Sequence, residues 1–441
     1  MIMETQTQPS RRWSASFFTI WTGQAFSLLG SQLVQFALIW WLTKTTGSAT
    51  VLATASLAGL LPQIILGPVI GTFVDRWNRR LTMILADSTI ALATFGLALL
   101  FLSGRVEIWH VYLLMFIRST AGGFHWVAMQ ASTSLMVPKE HLARIQGLNQ
   151  MLQGGMNIVS APLGALLLDI LSIQGVLFID IATAAMAITP LFFIAVPQPE
   201  PMTSTEAGTS KNTFWQDFRL GLSYMFGWSG LMIIALMATL INLLLNPAGA
   251  MLPILVTRHF SGGAMQLAGF ESTLGIGVIV GGIMLSIWGG FRRRVLTSMV
   301  GVIGIGMGSI LVGFAPPSAY LMAVAGMFMM GFALPITNGP LMAAVQAVVA
   351  PEMQGRVFTL INSAALAMTP LGLILAAPVV DHFGAQSWYI MAGFISILMA
   401  LTGCFIPAVM NLEKGRYPVK NKITEVNVEA MATTPVVTDG D

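Results

Sequence analysis

The chain has 441 residues, 55% of them hydrophobic and 9% charged, with a mean hydropathy of +0.78 and a formal net charge of +3. No water-soluble domain of this size hides so much apolar surface, which excludes a soluble enzyme and makes nucleic acid an unexpected partner. With five histidines, a single cysteine (Cys404) and no His-Glu-x-x-His run, no metal or other cofactor is expected.

Residues 1–13 form a short polar segment in which Arg11 and Arg12 lead into an apolar run from Phe17 to Leu42. That run is too long for a signal-peptide core and no small-residue cleavage site follows it, so it is expected to stay as the first span. Apolar segments of about 20 residues, each able to cross roughly 30 Å of hydrocarbon, then recur along the chain. Twelve spans are expected. Six lie within 14–196, at about 15–43, 49–74, 80–102, 109–136, 142–171 and 175–196. Six more lie within 229–412, at about 229–256, 264–290, 295–314, 318–347, 354–380 and 387–410. Between them, residues 197–228 read as a cytoplasmic linker whose end, Thr213 to Tyr224, mixes aromatic and charged residues as an interfacial helix does. Residues 413–441 are polar and aperiodic, and a disordered cytoplasmic tail is expected.

Placing the N-terminus inside puts seventeen of the 21 Lys and Arg on the cytoplasmic side. Lys44, Arg105 and Arg258 fall outside, and Arg118 falls within a span. The expected location is therefore the cell membrane, multi-pass, with both termini cytoplasmic.

The two halves repeat one another. Pro138 to Arg144 before span five is answered by Pro351 to Arg356 before span eleven; Ala161-Pro162-Leu163-Gly164 by Thr369-Pro370-Leu371-Gly372; Asp169 by Asp381; and Arg79-Arg80 by Arg293-Arg294. The expected fold class is all-α and integral to the membrane: twelve transmembrane helices in two pseudo-symmetric six-helix bundles flanking a central pathway. Gly275, Gly277, Gly281 and Gly282, with Gly301, Gly304 and Gly308, read as small-residue faces for close helix contact.

Charge is concentrated in one loop, Gly71-Thr-Phe-Val-Asp75-Arg76-Trp-Asn-Arg79-Arg80. Asp75 stands at the C-terminal end of span two, where the helix dipole already disfavours an acid unless something positive approaches. Arg76, Arg79, Arg80 and the N-terminus of span eleven are the candidates, and the last would latch the halves together at a cytoplasmic gate. A tight turn with positive-inside anchoring explains the same residues. The stretch resembles the loop signature Gly-x-x-x-Asp-Arg/Lys-x-Gly-Arg/Lys-Arg/Lys of the major facilitator superfamily. Asn78 stands where that pattern has Gly, a change that still permits a left-handed turn residue. Phe18 to Gln24, Leu42 to Ala49, Phe116 to Ser119 and Leu135 to Glu140 are similar to the macrolide-efflux-like branch, over about residues 14–410. That resemblance implies a secondary transporter, not an enzyme, exporting a hydrophobic drug-like substrate of macrolide type in exchange for protons. A siderophore or lysophospholipid exporter is the alternative within the fold, and a membrane receptor or enzyme the alternative outside it. The working unit is expected to be a monomer in the lipid bilayer.

Arg118 lies nine residues into span four, where an arginine costs at least about 2.5–3.5 kcal/mol unless it meets a partner or a wet cavity. It matches the Arg of the superfamily's Arg-x-x-Gln-Gly signature, with Ala121 in place of Gln and Gly122 kept; the resemblance implies that it tunes a nearby acid. The proton-coupling candidates beside it are Glu271 (the first choice), Asp180 and Asp87. Asp87, shallow and cytoplasmic, is expected rather to orient the loop arginines, and Asp180 is equally expected to cap or anchor its helix near the outer surface. Pro162 is expected to bend span five. Polar groups are costly against lipid, so Gln24, Gln32, Gln35, His125, Trp126, Asn242 and Asn246 are the candidates for the substrate cavity.

Overall fold

The computed structural model describes residues 13–198 and 214–414. Residues 415–441 of the expected disordered tail, residues 199–213 of the linker, and the side chains of Asp75, Pro351 and Glu352 lie outside the described residues. The described residues hold twelve long helices: α1 (Trp13–Thr46), α2 (Ala49–Arg76), α3 (Arg79–Leu102), α4 (Ile108–Met136), α5 (Lys139–Ile170), α6 (Ile173–Phe193), α8 (Ser229–Ile254), α9 (Ala264–Trp288), α10 (Arg294–Phe314), α11 (Tyr320–Val348), α12 (Pro351–Phe383) and α13 (Ala385–Phe405). Between the two sets of six lies α7 (Phe214–Phe226), the helix foreseen at the end of the linker, whose Gly221 packs on Leu360 and Arg356 of α12. A four-residue helix, α14 (Pro407–Met410), follows α13. Eleven of the twelve long helices are apolar enough to cross a membrane on composition alone; the exception, α4, carries His110, Arg118 and His125.

Local chemistry sets the ends. Ser48 caps α2 by accepting the Val51 amide, and Pro351 opens α12, where its missing N–H leaves nothing unpaired. Gly289, at φ 74°, ends α9 in the left-handed conformation that glycine adopts without strain. Beyond the α8 prolines, the next turn widens to a π-helix over Leu255–His259.

The small-residue faces divide by neighbour. Gly277 and Gly281 of α9, and Gly301, Gly304 and Gly308 of α10, lie against α11, whereas Gly275 meets Ile158 of α5 and Gly282 faces open space. Small residues let backbones approach where lipid supplies no hydrophobic drive for helix association.

We call the end where α1 begins and α13 finishes the near end, and the opposite one the far end. At the far end a single buried core is shared by both bundles, drawing on Leu38, Leu52 and Leu97 from one and Leu252, Phe270 and Trp388 from the other. Towards the near end the core divides. Phe17, Ile70, Met83 and Leu191 pack within the first bundle alone, and Leu231, Val295, Val345 and Val357 within the second.

The twofold repeat extends to hydrogen bonds. Arg79 donates from its guanidinium to the Ala131 carbonyl at 2.8 Å and from its amide to Gln198 Oε1 at 3.1 Å. Arg294 does likewise to the Ala343 carbonyl at 3.0 Å and to Glu413 Oε1 at 3.2 Å. The counterpart of Arg79 is thus Arg294, and in both halves the segment after the sixth span caps the helix that the third begins.

Candidate functional site: a cavity between the bundles

A cavity of about 800 Å³ lies between the bundles, from mid-helix towards the near end. Six of the seven expected cavity residues line it: Gln24, Gln32, Gln35, His125, Trp126 and Asn246. Asn242, one turn from Asn246, instead lines a side pocket of about 140 Å³ between α8, α10 and α11. Gln63, Gln130, Asn149 and Gln153 add further amides to the main wall, while Ala250, Leu366 and Leu373 form an apolar side. Asn246 reaches across to Thr369 Oγ1 at 2.7 Å, fixing α8 to α12 beside the cavity.

Arg118 meets Asp180 on α6 at 2.5 Å, with side-chain exposures of 10% and 1%. The same guanidinium donates to Thr94 Oγ1 at 2.8 Å, and Asp180 also accepts from Thr94 at 3.2 Å and from Ser31 at 3.3 Å. Asp180 therefore caps no helix; it is the buried counter-charge of Arg118, further stabilised by hydrogen bonds from two hydroxyls. Glu271 is not its partner. That carboxylate sits on α9 in the other bundle, is not among the residues lining the main cavity, and makes no hydrogen bond or ion pair among the described residues.

Asp87 also departs from expectation. It does not orient the loop arginines but accepts a hydrogen bond from Gln24 at 3.1 Å and stands 3.6 Å from His125 Nε2, on the cavity wall. The loop arginines are engaged elsewhere: Arg80 donates to the carbonyls of Leu191 and Phe192, in the last turn of α6, where a cation complements the dipole. Asn78 is extended at φ −67°, not left-handed, and caps α3 by accepting the Leu81 amide. Within the expected gate, Gly71 is half-buried with open space about it and Arg76 is exposed. α5 runs on through Pro162, whose missing N–H leaves the Ile158 carbonyl free to accept Ser272 Oγ of α9 at 3.1 Å.

The far-end seam carries a contact that the sequence marked only as a repeat. Asp381 of α12 accepts the amides of Ala49 at 2.8 Å and Thr50 at 3.1 Å, and the Thr50 hydroxyl at 2.7 Å. A carboxylate of one bundle thus caps the N-terminus of α2 in the other, with Arg258 3.9 Å away.

Two six-helix bundles joined by capping at one end and separated at the other around a polar-walled cavity define a secondary-transporter architecture. The chain belongs to the Major Facilitator Superfamily, whose family model matches residues 20–371. It is 32% identical over 401 residues to macrolide efflux protein A of Streptococcus pyogenes, covering 91% of this chain and 98% of that protein. A macrolide efflux protein A of Enterococcus faecalis is 30% identical over 327 residues, 74% of this chain and 100% of that one. Among solved structures, the nucleoside transporter NupG superposes with a TM-score of 0.62 at 15% identity, over 86% of this chain and 98% of that one, a likeness of fold.

Proposed function

We propose that this chain exports bulky, hydrophobic drug-like compounds of macrolide type by alternating access, in exchange for protons. The observation that carries the reading is the cavity of about 800 Å³, within the size range of drug-binding sites, at the seam of bundles that meet at the far end only. The efflux relatives support the cargo class, and the distribution of Lys and Arg supports a cytoplasmic near end with both termini inside the cell membrane. On that orientation the conformation is inward-facing and receives cargo from the cytoplasm or inner leaflet. The protein works as a monomer in lipid. In the outward-facing state, Asp75 approaches the N-terminus of α12 and the Gly71–Arg80 loop latches the near end, with Arg76 beside it. Arg118, Asp180, Asp87 and Glu271 are the groups through which protons act. The amide-rich wall also suits a hydrogen-bonding cargo, which keeps a siderophore or lysophospholipid as the second reading.

The test is transport in everted vesicles, with and without an imposed pH gradient, using a macrolide and a hydrophobic dye. Gradient-dependent accumulation of either compound is expected. Saturable binding without accumulation would turn the reading into that of a receptor.

A further inference from the structure

Three helices of the first bundle carry polar residues seven positions apart: Gln24 and Ser31 on α1, Asp87 and Thr94 on α3, His125 and Arg118 on α4. Seven residues are close to two helical turns, about 10 Å along the axis, so the six side chains form two layers on one face of each helix. The far layer is complete. Ser31, Thr94 and Arg118 surround Asp180, and its charges cancel.

The near layer is incomplete. An ionised carboxylate has about four acceptor positions. Asp87 is 5% exposed, and among the described residues it receives one hydrogen bond, from Gln24 to Oδ2. His125 Nε2, buried and aimed at the same oxygen from 3.6 Å, is too distant for a hydrogen bond and has no hydrogen-bond partner of its own. Arg118 is engaged by Asp180, Arg79 by the Ala131 carbonyl, and Arg80 by α6, so none of these cations serves Asp87. Unless His125 is protonated, an ionised Asp87 has no cation beside it, and in so dry a site a partner cation is what holds a carboxylate in its charged form. Trp21 and Trp126 line the same space, and the Trp21 indole is held by Asn149 Oδ1 at 2.8 Å. Aromatic faces attract ammonium groups.

We propose that the Gln24–Asp87–His125 layer recognises a protonated amine on the cargo, selecting amphiphiles that carry one basic nitrogen on an apolar frame. The inference rests on the exporter reading and names its cargo class. The ammonium takes the free lone pairs of Asp87, and the apolar frame lies towards Leu366 and Leu373 on the opposite wall. A protonated His125 is the internal competitor for the same carboxylate, near enough to neutralise it from 3.6 Å.

The experiment uses the full chain, purified in detergent and reconstituted in everted vesicles, with two probes: a macrocycle bearing one tertiary amine, and a neutral counterpart in which that nitrogen is acylated. The wild type is expected to bind the amine form about tenfold more tightly or better. Asp87→Asn removes that preference and Asp87→Glu restores most of it. Equal wild-type affinity for the two probes, or a preference that survives Asp87→Asn, overturns the proposal. Export of both probes by the wild type in that case leaves the exporter reading standing, whereas export of neither removes both. The wild-type comparison decides the matter even where a variant fails to fold.

Discussion

Asp381 accepts the Ala49 amide at 2.8 Å across the seam between the bundles, and among the described residues no equivalent bond is found on the other side of the twofold axis. The repeat counterpart, Asp169 of α5, is exposed and makes no hydrogen bond among the described residues. The N-terminus of α9 is served instead by Gln266, which takes the Gly263 amide at 2.8 Å. Closure of the far end is thus lopsided. Charge-assisted hydrogen bonds of this kind contribute about 1.5–3 kcal/mol. Asp381→Asn is expected to shift the population roughly ten- to a hundredfold towards far-open conformers. Spin labels at Ser172 and Ser318, in a background with Cys404 replaced by Ser, read the change as a longer distance. Asp169→Asn leaves the distance unchanged.

The Arg118–Asp180 pair predicts a different kind of failure. Removing one partner strands a buried charge, a loss of about 3–5 kcal/mol, so Arg118→Ala and Asp180→Ala are each expected to reduce the folded yield sharply. The double variant Arg118→Met with Asp180→Leu removes both charges together. It should recover much of the folded protein without recovering transport. Fluorescence-detected size exclusion and vesicle uptake, measured on the same preparations, separate the two effects.

The spans were legible because the length of an apolar run and the absence of charge are local properties, and every expected span has its helix within a few residues. Partners across helices were less so. Nothing local ties Arg118 to Asp180, since which helices are neighbours is decided by the bundle, and Glu271, the first choice on sequence, lies on α9 of the second bundle and does not meet Arg118. The seven-residue spacings of Gln24 and Ser31, Asp87 and Thr94, and Arg118 and His125 were present in the sequence. They acquire meaning once α1, α3 and α4 are known to share a wall. Asp381 registered as a mark of internal repetition, because capping a helix of the opposite bundle leaves no trace in its own neighbourhood. Asn78 was read as a turn residue when its side-chain oxygen was needed as a cap.

Two adjacent glycines on α9 give a paired test of helix packing. A Cβ on Gly281 would run into the backbone carbonyl of Phe332 on α11, with that residue's Cα only 2.9 Å away, and backbone cannot move aside as a side-chain tip does. A Cβ on Gly282 would meet nothing within 4 Å. Gly281→Ala is expected to destabilise by about 1–3 kcal/mol through overpacking. Gly282→Ala leaves stability unchanged or raises it by up to about 1 kcal/mol, the gain in helix propensity. Thermal unfolding of the two variants in one detergent should place Gly281→Ala below the wild type and Gly282→Ala level with it or above.

Glu271 bears on the coupling itself. It is half-buried on α9, outside the lining of the main cavity and without an ion pair among the described residues, so neutralising it strands no partner. If it carries the exchanged proton, Glu271→Gln loses net export driven by a pH gradient, by about tenfold or more in rate, the loss of one proton-transfer group being at least that large. The same variant keeps the exchange of cargo across the vesicle membrane when cargo is present on both sides and no gradient is imposed, because that cycle moves no net protons. Loss of both activities would assign Glu271 to binding or to the conformational change. Retention of gradient-driven export would transfer the proton to Asp87 or Asp180, the two carboxylates bordering the cavity's layered wall.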